Sequence, residues 1–170
     1  MSKRLILIRH AKSSWNNSQI TDKERPLNSR GQYVAPIMGQ WLNGYCTDNN
    51  IQTIDFLVST ATRTQQTLKL LTSSITASIL TTTSLDEVYL ASSQSLQNLI
   101  TKQSDDSDCI ALIGHNPGMH MLVEHFTGER LNKFPTCAIA CFQFDSNHWL
   151  NLRHTNCISS EIKTPKQLLQ

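Results

Sequence analysis

The sequence contains no pair of cysteines spaced CxxC, although it has five cysteines, at 46, 109, 137, 141 and 157. An odd number without paired spacing argues for free thiols and against a disulfide framework or a cysteine zinc site. Long apolar runs are missing as well. Behind Met1-Ser2-Lys3-Arg4 the apolar stretch is only Leu5 to Ile8 before Arg9 interrupts it. That is shorter than a signal-peptide core and far shorter than a membrane span, so the expected location is cytoplasmic, away from membranes. There is no cluster of Lys/Arg interleaved with aromatics, and a formal net charge of +2 is too small to predict a nucleic-acid partner. Neither a glycine-rich phosphate loop nor an acidic metal cluster occurs, so any phosphate chemistry must draw its cations from side chains. Repeats, low-complexity tracts and linkers are absent, and 170 residues with 39% hydrophobic content fit one domain with a single core.

What is present is a pair of segments, Leu7-Ile8-Arg9-His10 and Ile113-Gly114-His115-Asn116-Pro117, each placing a histidine where an apolar, strand-like run stops. In open α/β sheets ligands bind beyond the carboxyl ends of the strands, so two such histidines can face one pocket. Arg9 adds a cation beside the first. Arg63 follows a third apolar run, Ile54 to Val58, and falls in the first turn of a helix expected from about Ala61. His115, His120 and His125 recur every five residues, but that spacing turns successive side chains about 140° around a helix, which does not build a metal face.

Periodicity supplies the rest of the outline. Strands are expected at Lys3 to Arg9, Ile54 to Val58, Ile79 to Leu85 and Cys109 to Ile113. Between them, Val34, Ile37, Met38, Trp41, Leu42 and Tyr45 mark a helix from Ser29, with Pro36 predicting a kink or a later start. A helix beginning at Ser93 carries Leu96, Leu99 and Ile100 inward. Asn116 and Pro117 read as N-cap and first residue of a helix that Gly128 stops. Cys137 to Phe144 and His148 to His154 are expected to form a closing hairpin, and residues 159–170 a polar, poorly ordered tail. The alternation predicts an α/β fold: a mainly parallel central sheet, helices on both faces and an antiparallel edge hairpin.

Two arginines and two histidines at one sheet edge suit a phosphoryl group. Guanidinium groups offer paired donors to phosphate oxygens. A neutral imidazole at His10 can attack phosphorus, and His115, kept cationic by bound phosphate, can stabilise charge on the equatorial oxygens. No divalent metal or cofactor is called for.

Five segments, Arg9-His10-Ala11-Lys12-Ser13-Ser14-Trp15, Arg25-Pro26-Leu27-Asn28-Ser29-Arg30-Gly31, Arg63 with Gln66-Thr67, Gly114-His115-Asn116-Pro117-Gly118 and Pro135-Thr136-Cys137-Ala138, resemble the histidine phosphatase superfamily. The resemblance is to its small, SixA-like phosphohistidine phosphatase branch and spans roughly residues 3 to 154. It implies a phosphoglycerate mutase-like fold over residues 1–158, with no cofactor. It implies His10 as the phosphorylated nucleophile and Arg9, Arg63 and His115 as the phosphate pocket. Ser13 and Asn16 fall on the serine and asparagine of the family's Arg-His-Gly-x-Ser-x-x-Asn motif, which makes them, with Asn116, candidate substrate contacts; Ala11 replaces the motif's glycine.

For the general acid the resemblance points two ways. Leu85-Asp86-Glu87 resembles the pattern in which many members carry a glutamate, making Glu87 a candidate proton donor. Val88-Tyr89-Leu90-Ala91 instead resembles the small branch's Leu-Tyr-x-Ala, with Leu90 where the acid often stands. The implied activity is hydrolysis of phosphohistidine on a protein partner. The alternatives are phosphomonoester hydrolysis by the same chemistry, or a non-catalytic phosphate-binding module.

Overall fold

The computed structural model describes residues 2–169. Its elements, in chain order, are β1 (Lys3–Arg9), α1 (Ser29–Asp48), β2 (Thr53–Ser59), α2 (Thr62–Thr72), β3 (Ser78–Leu85), α3 (Ser93–Ile100), β4 (Cys109–Gly114), α4 (Gly118–Thr127), β5 (Ile139–Phe144), β6 (Cys157–Lys163) and α5 (Pro165–Leu168). Three short 3-10 turns, Asp22–Glu24, Asp86–Val88 and Trp149–Arg153, interrupt the connections. The sheet order is β3-β2-β4-β1-β5-β6. β3, β2, β4 and β1 pair in parallel, and β5 and β6 add an antiparallel edge.

β1 lies inside this sheet, and its alternation serves two cores. Ile6 and Ile8 pack with Met38 and Leu42 of α1 and Leu71 of α2 on one face. Leu5 and Leu7 pack with Leu96 of α3 and Met119 and Leu122 of α4 on the other. Both faces being covered, the strand reads as a continuous apolar run, and each of its fully buried aliphatic side chains contributes on the order of 1.5–3 kcal/mol. No helix among the described residues is long and apolar enough to cross a membrane.

Several boundaries differ from the sequence reading. Helix α1 starts at Ser29 but is capped by Asn28, whose side chain accepts from the Gly31 amide, and it runs through Pro36 unbroken. The carbonyl that loses its partner to Pro36 belongs to exposed Gln32, where water can serve it. Helix α4 begins one residue later than expected, because the Asn116 side chain donates to the Phe134 carbonyl instead of capping. Gly128 ends it in the left-handed region, φ 70°.

The closing hairpin keeps its antiparallel edge but exchanges its second strand. Residues 149–153 form a 3-10 turn that buries Trp149 and Leu152 three positions apart. The Trp149 backbone amide donates to Asp105 and its indole N–H to the Ser107 carbonyl. The strand is β6, and residues expected as a disordered tail supply most of it and also α5, whose Pro165 is buried. β6 is exposed through its middle, so its polar sequence is that of a solvated edge strand.

Candidate active site

Because β1, β2 and β4 are parallel, their carboxyl ends open on one edge. The register pairs Arg9 with Gly114 and Val58 with Ile113. His10, Ser59 and His115 follow directly. The His10 amide donates to the Gly114 carbonyl, and the two imidazole centroids stand 5.2 Å apart. Close backbone approach keeps this corner tight: a Cβ on Gly118 would fall 2.0 Å from the Ala91 carbonyl oxygen, and one on Gly31 2.2 Å from that of Lys12.

His10 is oriented by its own loop. Its Nδ1 lies 2.7 Å from the Ala11 carbonyl oxygen, which only accepts, so Nδ1 carries the proton and Nε2 keeps its lone pair. The Ala11 amide donates to Thr67 Oγ1, and Gln66 Oε1 accepts from the Leu27 amide, so α2 pins the loop at two points. Burial lowers the His10 pKa to about 4, with Arg63, Arg9 and Arg25 pushing the same way against the Ala11 hydrogen bond. The imidazole is therefore neutral at pH 7.

His115 is neutral too. Its Nε2 lies 2.8 Å from Ser59 Oγ, and its Nδ1 lies 3.3 Å from Arg63 Nη2. Since guanidinium only donates, Nδ1 accepts and Nε2–H faces the fully buried Ser59. Burial, then the neighbouring His10 and Arg63, lower its pKa to about 3. Tyr89 packs edge-on against the same ring at 5.4 Å.

The arginines are fixed from behind. Arg9 Nη1 and Asn116 Nδ2 both donate to the Phe134 carbonyl, each at 2.9 Å. Arg63, only 2% exposed, donates from Nη1 to the Asp22 carbonyl at 2.6 Å and from Nη2 to Asp22 Oδ2 at 2.9 Å. Arg25 takes the other Asp22 oxygen through Nε and Nη2 and donates from Nη1 to Ser13 Oγ. With Tyr89 O–H donating to Oδ2 at 2.6 Å, Asp22 is held ionised. Burial opposes this, but the Tyr89 and Arg63 hydrogen bonds and charge outweigh it and bring its pKa to about 2.

These groups line a cavity of about 430 Å³ with Arg9, His10, Ser13, Asp22, Arg25, Arg63, His115 and Asn116 in its walls. Trp15, 75% exposed, and Leu90, 55% exposed and in the left-handed region at φ 51°, border its mouth. The Trp15 ring stacks on the Arg25 guanidinium at 3.4 Å. Of the candidates named from sequence, six meet here: Arg9, His10, Ser13, Arg63, His115 and Asn116. Asn16 does not; it is exposed on the loop, and its backbone amide turns back to Ser14 Oγ. Glu87 does not either, because the 3-10 turn Asp86–Val88 buries Val88 and leaves Glu87 exposed outside the cavity lining. His120 and His125 bond elsewhere, to the Leu131 carbonyl and to Gln97.

Sequence reasoning missed Asp22, Tyr89 and Ser59. For Asp22 a local signal existed, since Asp22 and Arg25 pair at i,i+3 across a turn that Thr21 and Glu24 cap reciprocally.

The histidine burial has a consequence for stability. Between the ordinary histidine pKa of 6.5 and the folded values of about 4 and about 3, the unfolded chain binds more protons than the folded one. Stability is therefore lost as pH falls through that window, and above about pH 6.5 the two histidines no longer tilt the balance. Thermal unfolding midpoints measured from pH 7.5 to 4.5 should decline, and more shallowly in a His10→Asn/His115→Gln variant. An equal slope in both proteins would place the proton uptake elsewhere.

Fold and pocket together define an α/β protein with a phosphoglycerate mutase-like sheet and an anion-attracting, two-histidine site at its carboxyl edge. The chain belongs to the histidine phosphatase superfamily, whose branch 1 model matches residues 5–99. An uncharacterised chloroplast protein of Arabidopsis thaliana is 32% identical over 157 residues, spanning 88% of this chain and 70% of that one. Among solved structures, a candidate phosphohistidine phosphatase SixA from Agrobacterium tumefaciens is 28% identical with a TM-score of 0.72, covering 95% of this chain and 99% of its own. Another of that description, from Nakamurella multipartitia, superimposes with a TM-score of 0.79 at 22% identity, covering 97% of each chain.

Proposed function

We propose that this protein hydrolyses phosphohistidine on a protein partner, through a phosphorylated His10 intermediate and without a metal ion. The observation that carries the reading is the state of the carboxylates. Asp22 is the one carboxylate among the described residues lining the cavity, and it is held as an anion by Arg63, Tyr89 and Arg25. Glu87 stands outside. No carboxylic acid is poised to protonate a departing oxygen, and an alkoxide leaving group needs that proton. An imidazole protonated on its far nitrogen leaves as a neutral molecule and does not. The open mouth bordered by Trp15 and Leu90 also suits a side chain presented by another protein.

In this reading His10 Nε2 attacks phosphorus in line and the substrate imidazole departs. Water then cleaves the P–N bond on His10 and returns the imidazole to its neutral form. Arg9 and Arg63 hold the equatorial oxygens. Facing the phosphoryl dianion, His115 takes up a proton as its pKa rises, and it donates to the charge developing in the transition state. Ser13 acts indirectly, by keeping Arg25 against Asp22.

The test is a panel of phosphohistidine protein, graded aryl phosphates and sugar phosphates at equal concentration, with wild type and Glu87→Gln. Phosphohistidine and activated aryl phosphates should turn over at nearly the same rates in both proteins, and sugar phosphates poorly in either. A steeper dependence on leaving-group pKa in Glu87→Gln would make Glu87 the proton donor and favour small-molecule phosphomonoesters.

A further inference from the structure

A second and larger cavity, about 550 Å³, adjoins the catalytic one; Lys12 and Thr136 border both. Its walls come from the loop after β1, the start of α1, the segment before β5, and α5. Lys12, Arg30, Lys133 and Lys166 stand around it, and among the described residues no aspartate or glutamate lines it. All four are exposed and form no ion pair among the described residues. In a chain whose formal net charge is only +2, this is a local concentration of positive charge. Val34, Pro135 and Leu169 supply an apolar floor between the cations.

We infer that this groove docks an acidic, amphipathic segment of the phosphoprotein substrate, next to the histidine being dephosphorylated; the inference rests on the function proposed above. The chemistry separates a polypeptide from a small anion. A dedicated phosphate subsite calls for buried, preoriented donors such as the Arg63 guanidinium, which the Asp22 carbonyl and carboxylate hold from behind. Here three of the four cations are lysines on long, solvated stems, which steer and select an acidic surface without fixing one anion. The apolar floor would be wasted on inorganic phosphate but accommodates the inner face of an amphipathic segment. Continuity through Lys12 and Thr136 sets the segment beside the residue entering the His10 pocket.

The experiment uses wild type, Lys133→Glu/Lys166→Glu and, as a gentler change, Lys133→Ala/Lys166→Ala. Substrates are a Glu/Leu-rich phosphohistidine peptide, a Ser/Gln-rich peptide with the same phosphorylated site, and p-nitrophenyl phosphate. The acidic peptide should lose about tenfold or more in kcat/KM on charge reversal, mostly through KM, with a smaller loss for the alanine pair and near-constant rates for the other two substrates. Binding of the unphosphorylated acidic peptide, followed by fluorescence anisotropy, should weaken in parallel and with added salt. Equal losses on all three substrates, unchanged acidic-peptide binding after charge reversal, or preferential binding of RNA or inorganic phosphate would overturn the docking groove. Acidic-peptide binding that charge reversal abolishes, without phosphohistidine turnover in wild type, would retain the groove and overturn the proposed reaction.

Discussion

Replacing His10 with alanine is expected to lower kcat on every substrate by on the order of 10⁴-fold or more if its imidazole is the nucleophile proposed above, since no neighbouring group can take its place. Of the nucleophile-bearing side chains near it, His115 has its Nδ1 lone pair bound to Arg63 and its Nε2 protonated toward Ser59, and neither Ser13 nor Cys137 is activated. Ser13 Oγ accepts from the Arg25 guanidinium, which draws electron density away from it. Cys137 donates its backbone amide to the His10 carbonyl, but burial pushes its thiol up to about 12, so it holds almost no thiolate at neutral pH. His10 has an exposed lone pair fixed by the Nδ1 contact to Ala11, and it stays neutral down to about pH 4. Quenching during turnover of labelled substrate should trap base-stable, acid-labile phosphate on wild type and none on His10→Ala. Label on Ser13 or Cys137 would remove His10 from the role of nucleophile.

The parts of this site that the sequence announces are those that sit one residue past an apolar strand. Arg9-His10 and Gly114-His115 end β1 and β4, and parallel pairing in register brings them together without help from any loop. Arg63 is legible for a related reason, since its place in the first turn of α2 follows from where β2 stops. Asp22 and Tyr89 are not legible this way. They reach the pocket from long connections, and their meeting on Arg63 depends on how two 3-10 turns cross in space. Glu87 and Asn16 show the converse: motif position placed them at the site, while the 3-10 turn Asp86–Val88 leaves Glu87, and the irregular loop after β1 leaves Asn16, exposed outside the cavity lining. At the fold level, β6 escaped because an edge strand with its middle exposed lacks the apolar run that marked β1, β2 and β4. Residues 149–153 read as a strand because Trp149 and Leu152 are apolar, whereas their three-residue spacing is what a 3-10 turn buries on one side.

Arg63→Lys is expected to cost on the order of 10²–10³-fold in kcat/KM although the charge is kept. Arg63 spends one nitrogen on the Asp22 carbonyl and the other on the Asp22 carboxylate and His115 Nδ1. A planar fork can hold that loop and, once phosphate arrives, turn its charge toward it; a lysine ammonium has one nitrogen for both tasks. The substitution also leaves Asp22 in a positively biased pocket with Tyr89 and Arg25 but without its most buried partner, so the Asp22 pKa should rise from about 2. If Asp22 works chiefly by holding Arg63, Asp22→Asn should cost less than Arg63→Lys, and the double variant little more than Arg63→Lys alone, since the shared interaction is lost only once. Additive losses in kcat/KM would mean that Asp22 serves the reaction through Arg25 and Tyr89 instead. Near wild-type rates in Arg63→Lys would take this arginine out of the phosphate pocket and leave Arg9 as its principal cation.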